Sequence, residues 1–329
     1  MYRKNLYNEK PNTRKSIRYY VPDKTPKRDL HTSLYAHMFI EDLHLGIMPI
    51  GGRSENPNFA VKIDPPSKEV EELIRLGLHT HHGEPRNITE AVCDFIDEAA
   101  HILAYYGKAY YEIIYFYADK SKNRIESFII ERISNDNIKD TFGFYWQFIP
   151  KKFLEDREEN LKRFIYLPKQ NILVLSIPKV LGGIRKFRKL LSELQWLSTS
   201  TIPEFAMKDM SVHQQTKGYD FSIYRENQET FLAKITRHLG WTARGTFSER
   251  SLEFYQIYRY LKFEKTKAIL REYILRKLNE SLKIIGNKIG FKAKLQLEGI
   301  PSHRDYDHYI KKLIDGSLQF SEAVKLMRV

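Results

Sequence analysis

Asn87-Ile88-Thr89-Glu90 stands directly ahead of an apolar run, and this capping-box pattern fixes a helix start more firmly than any other stretch of the chain. Val92, Phe95, Ile96, Ala99, Ile102, Leu103 and Tyr106 then recur at the three-and-four spacing of one helical face. That face is predicted to be core, with Asp94, Asp97, Glu98 and His101 falling largely elsewhere. Gly107 can take the left-handed conformation that ends a helix, and Ala109 to Tyr117 is rich enough in Tyr, Phe and Ile to predict a strand. Helix, glycine stop and aromatic strand form the unit around which the rest is arranged.

The first half extends this unit into an α+β fold. Arg124 to Arg132 reads as the hairpin partner of the aromatic strand across Asp119 to Asn123. Strands are also predicted at Phe142–Ile149, Arg163–Leu167 and Ile172–Ile177, with the charged segment Lys151–Lys162 among them. Upstream, Ser33 to Ile50 is a short apolar segment, Phe59 to Ile63 a strand closed by Pro65-Pro66, and Glu69 to Leu78 a short helix capped by Ser67. Glu112 within the aromatic strand is read either as solvent-facing by alternation, the first choice, or as ion-paired, and no second acid can be placed beside it for catalysis. Residues 1 to 30 form a basic arm, for which a solvated tail and a partner-binding role are both open.

The second half is helical. Gly182-Gly183 opens a helix carrying Ile184, Phe187, Leu190, Leu191, Leu194 and Leu197, and Pro203 is expected to kink or restart it. Arg185, Lys186, Arg188 and Lys189 crowd its first turns, where positive charge opposes the helix macrodipole. An anionic neighbour would explain them. Lys217 to Tyr224 reads as a turn and strand, and Glu226 to Leu239 as a helix ending at Gly240. The following loop, Gly240 to Phe247, holds Trp241 and Arg244; it is read either as a projecting basic loop or as an ordinary helix connection with Trp241 buried. A second capping box, Thr246 to Glu249, opens a long helix that runs towards Gly286. A strand at Lys288–Leu297 and helices at Asp305–Ile314 and Ser321–Met327 close the chain.

Charge narrows the function classes. A formal net charge of +13 and a pI near 9.4 favour a polyanionic partner, with nucleic acid ranked above membrane. No apolar run approaches the roughly 20 residues of a membrane span, and the amino-terminal sequence lacks the apolar centre of a secretory signal, so synthesis in the cytoplasm is expected. Cys93 is the only cysteine, which excludes an intrachain disulfide and suggests packing for that residue. The chain contains no phosphate-binding loop, nucleophile elbow or His-Glu-x-x-His motif, so no catalytic set, cofactor or metal is expected. A rival reading is a replication endonuclease of the paired-histidine type using His79, His81 and Tyr105, the last spaced Tyr-x-x-Lys with Lys108; Thr80 breaks its His-hydrophobe-His pattern. A basic RNA- or DNA-binding protein is a third, without a recognisable reading motif.

Phe95 to Ile114, with Tyr106-Gly-Lys-Ala-Tyr-Tyr-Glu112 at its turn, resembles the helix, turn and strand of tailed-bacteriophage portal proteins. Pro168 to Leu175 is similar to the segment before that family's stem, Gly182-Gly183-Ile184 to its glycine-led stem helix, and Leu313 to Ala323 to its closing pattern. The resemblance implies a basic arm over 1–30, an α/β wing with antiparallel strands over 31–182, stem helices with a reduced clip over 183–239, a tunnel loop over 240–247, a long helix over 248–285 and a C-terminal strand-and-helix region over 286–329. It also implies a homo-oligomeric ring, usually dodecameric, at the capsid vertex of a virion. That ring passes double-stranded DNA and meets the major capsid protein, the terminase motor and head-tail connector proteins, with no membrane partner. DNA-channel contacts then fall to Trp241, Arg244, Phe247 and Arg250, and the stem opens on Arg185, Lys186, Arg188 and Lys189.

Overall fold

The computed structural model describes residues 34–48, 59–78, 85–118, 124–141, 143–148, 164–199, 221–243, 253–319 and 322. These form a mixed α+β fold of seven helices and three small antiparallel sheets. The chain divides into two compact units: one draws on Ile50–Ser176 and Tyr273–Ile300, the other on Pro26–Pro49, Ile177–Glu272 and Pro301–Val329.

The first unit is built on the helix, glycine and strand just described. Helix α3 (Ile88–Tyr106) follows α1 (Leu34–His44), β1 (Ala60–Asp64) and α2 (Lys68–Gly77) in the chain. Asn87 Oδ1 accepts from the Glu90 N–H at 2.8 Å, while the Glu90 carboxylate reaches back to the Arg86 N–H at 2.6 Å, one residue beyond the usual capping-box partner. Gly107 closes the helix with φ 74° and its N–H on the Leu103 carbonyl. Strand β2 (Lys108–Tyr117) then pairs antiparallel with β3 (Ile125–Ile133) on one side and β7 (Ile172–Ser176) on the other.

Two expectations about this unit are corrected. Asp94 and Glu98 are buried along with the apolar face of α3, because the helix packs against α2, β1, β2 and β7 together. Glu112 is half-buried, not plainly solvent-facing, because β2 is covered on both faces and loses the period-two pattern of a one-sided strand. On one face Tyr111 meets Phe95 at 5.0 Å; on the other Tyr110 joins Ile133, Leu167 and Ile172, with Ile138 and Tyr145 against them. Burial beside the Glu98 carboxylate holds the Tyr111 phenol well above its ordinary pKa. Cys93 is buried, as expected.

The second sheet runs β4 (Ile138–Thr141), β5 (Phe144–Phe148) and β6 (Phe164–Leu167), of which β4 is a strand the sequence pattern did not predict. The third pairs β1 with β8 (Lys294–Glu298), from Ala60 opposite Glu298 to Asp64 opposite Lys294. Helix α6 (Glu253–Ile289) continues past Gly286, where a helix end was expected. The Phe291 carbonyl lies where a Cβ at 286 would sit, only 2.3 Å away, so this glycine serves close approach; Gly290, with φ 102°, is the stop.

The second unit contains α1, α4 (Gly183–Thr199), α5 (Phe221–Thr236), the first part of α6, and α7 (His303–Ile314). Phe39 of α1 is its aromatic centre, with ring centroids 5.3 Å from Trp241, 6.0 Å from Phe187 and 6.4 Å from Phe263. Residues 221–224 belong to α5, so the strand expected there is replaced by a helix start; four residues are too few for periodicity to separate the two. Pro203 and nearly all of Ser321–Met327 lie outside the described residues. Among the described residues no helix is long and apolar enough to cross a membrane.

Candidate nucleic-acid interface

The four cations predicted in the first turns after Gly183 sit on a helix whose two faces are sharply divided. Phe187, Leu190, Leu191, Leu194 and Leu197 of α4 are buried, and Arg185, Lys186, Arg188 and Lys189 occupy exposed positions between them. The chain enters α4 through Gly182 and Gly183, at φ 95° and 67°. The Lys186 stem lies over Gly182, its Cβ 3.0 Å from the point a side chain there would occupy, so the first glycine makes room for that lysine. Lys189 approaches Glu193 at 3.7 Å, but an exposed pair of this kind contributes about 0–1 kcal/mol and leaves the helix face basic.

One of these four, Lys186, acts on His238 together with Lys262 of α6. Arg237 and His238, just past α5, are exposed, and Lys262 projects from α6 with its ammonium 5.6 Å over the Tyr258 ring. Burial holds the His238 pKa below 6.5, and the repulsion of Lys262 and Lys186 acts in the same direction, against a backbone hydrogen bond to Ile235 and the attraction of Glu193. The imidazole is therefore mostly neutral at pH 7, chiefly through burial, with its cationic neighbours adding to the effect. A phosphate among them would favour its protonated form, so DNA affinity is expected to rise as pH falls through and below 6.5, with proton uptake on binding. Fluorescence anisotropy with a short duplex at fixed salt checks this: His238→Gln should flatten the pH dependence without abolishing binding.

Next to these cations the chain leaves α5 through a tightly held turn. Gly240 has φ 90°, and a Cβ there would lie 2.5 to 2.8 Å from backbone atoms of Phe263, Arg259 and Lys262, so only glycine lets this turn touch α6. The turn is pinned by Arg259, a side chain 1% exposed. Its Nε donates to the Gly240 carbonyl at 3.2 Å, one terminal nitrogen to Ala233 O at 2.9 Å and the Tyr255 hydroxyl at 3.3 Å, and the other to Thr236 Oγ1 at 2.7 Å and the Trp241 carbonyl. Thr266 adds a bond to Leu239 O at 2.8 Å.

This geometry corrects one predicted contact. Trp241 is 2% exposed; its ring packs edge-on against Phe39 and its indole N–H donates to Asp42 at 2.8 Å. It is core, and its side chain is not offered to a passing polymer. Arg244, Phe247 and Arg250 lie outside the described residues, which stop at Ala243 with φ 59°. Arg259 was missed because nothing in its local sequence separates a buried cation from the surface lysines of the same helix.

Only part of the endonuclease reading falls on described residues. His79 and His81 lie outside the described residues; Tyr105 is half-buried against His101 at 4.8 Å, and Lys108 is engaged by Asp140 at 3.0 Å. Among the described residues no group of three or more His, Cys, Asp or Glu could hold a metal ion. No protein-family model matches the chain, and no curated protein matches it.

Proposed function

We propose that the chain is the subunit of a ring whose bore passes nucleic acid by charge. More particularly, we read it as the portal protein of a tailed phage, seated at the capsid vertex of the virion, passing double-stranded DNA and meeting capsid protein, terminase motor and head-tail connectors. The observation that carries this reading is the exposed basic run Arg185, Lys186, Arg188 and Lys189 on α4, with Lys186 and Lys262 both acting on His238 beside a loop base locked by Arg259. A cationic face of this kind engages phosphates without reading bases, which suits a conduit that must accept every sequence. The pinned turn suits a loop that needs a fixed root. The portal resemblance over Phe95–Ile114 and downstream supports the more particular reading. On this account Arg244 and Arg250 face DNA phosphates, while Trp241 serves the fold.

Mass photometry of the purified full chain at micromolar concentration and modest salt tests the assignment. Closed oligomers of one discrete mass, usually twelve subunits in this family, are expected. A monomer under these conditions, and with scaffold or capsid protein added, contradicts it.

A further inference from the structure

The β4–β5–β6 sheet presents an open aromatic face. In an antiparallel pair, residues directly opposite share a face, so Lys139, Trp146 and Tyr166 form one row across the three strands, with Thr141 opposite Phe144 and Phe148 opposite Phe164 beside it. Phe144 is 56% exposed, Trp146 40%, Phe164 49% and Tyr166 43%. The Trp146 and Tyr166 rings are 5.2 Å apart and those of Phe148 and Phe164 5.3 Å, so the rings make one patch. The opposite face is the packed one: Tyr145 and Leu167 join the buried cluster around Tyr110, and Asp140 turns to Lys108. Lys139 is therefore the one charged residue in these rows.

A second surface of the same unit complements it. Pro65 and Pro66 are both exposed between β1 and α2. Asp64 precedes them, opposite Lys294 and accepting from Gln296 at 3.4 Å, and Lys68, Glu69 and Glu71 follow; Glu72 is occupied by Arg75 at 2.6 and 2.7 Å, so Glu69 and Glu71 carry the acidic excess. Proline rings lie well against aromatic side chains, and this corner is acidic where the aromatic face is basic. Two different patches that match in this way make a head-to-tail contact, the kind that closes into a ring; a face-to-face contact stops at two copies.

We propose that the Asp64–Glu71 corner of one copy docks on the Trp146–Tyr166 face of the next, the prolines on the rings and the carboxylates towards Lys139. This contact rests on the ring reading and names the residues that would hold one subunit to its neighbour. Aromatic anchors of this type dominate the energetics of interfaces, and the acid-lysine contact sets register.

The experiment is mass photometry of the wild type and four variants, with circular dichroism to confirm that each is folded. Trp146→Ala/Tyr166→Ala and Pro66→Ser/Glu69→Lys should each raise the concentration needed for ring assembly at least tenfold with little change in Tm. Lys139→Glu should do the same, and Glu69→Lys in the same chain should restore assembly. Mixing the aromatic-face variant with the corner variant should give dimers that grow no further, since each pair retains one intact contact. Wild-type rings with variants that assemble normally overturn the contact and leave the ring reading standing. A wild type that never assembles removes both. Rings that persist in Trp146→Ala/Tyr166→Ala while oligothymidine binding is lost reassign the face to single-stranded nucleic acid and overturn the proposal.

Discussion

Arg259→Ala should lower the unfolding free energy by about 3 to 5 kcal/mol, as expected when several buried acceptors lose one charged donor at once. The substitution leaves the Gly240, Trp241 and Ala233 carbonyls without that donor, together with Thr236 Oγ1 and the Tyr255 hydroxyl, and it opens a cavity between α5 and α6. Arg259→Lys should recover little, because a single ammonium cannot direct donors to acceptors spread around a planar guanidinium. Equilibrium urea unfolding measures both variants. A loss under about 1 kcal/mol would mean that the turn is held by Trp241 and Gly240 without the arginine.

Reversing Arg185, Lys186, Arg188 and Lys189 together to glutamate should nearly abolish duplex binding while the chain stays folded. These side chains are exposed, and glutamate near a helix N-terminus is favoured by the macrodipole where the native cations are opposed by it, so Tm should hold or rise. On the DNA side, each lost phosphate contact removes about 0.9 from the slope of log affinity against log salt, so the slope should fall by about 3 to 4. Binding isotherms over a salt series, with two unrelated duplex sequences, give the slope and show whether the loss is uniform. An unchanged slope would place the phosphate contacts elsewhere on the molecule.

The parts of the fold that were legible in the sequence are those fixed by short-range chemistry. The start of α3, its stop at Gly107 and the aromatic strand after it need only neighbours within a few residues. The division of α4 into a basic and an apolar face was legible for the same reason: a helical period orders its residues without reference to the rest of the chain. Strand β4 is too short to show a period, and α1 reads only as a short apolar segment after Ser33 although Ala36, Phe39, Ile40 and Leu43 share its buried face. At the candidate site the failures are non-local. Trp241 lies between a glycine and a threonine in a stretch that reads as loop, and its burial depends on Phe39 and on Asp42, 199 residues away. Gly286 reads as a helix stop until the approach of the Phe291 carbonyl is known.

The most direct measurement is an image of the assembled full chain with duplex DNA by electron cryo-microscopy. The account predicts a closed ring with DNA in its bore, Arg185, Lys186, Arg188 and Lys189 turned towards that bore, and the loop that follows Ala243 reaching the duplex. A monomer on DNA, or a ring whose outer rim carries these four cations, would contradict it.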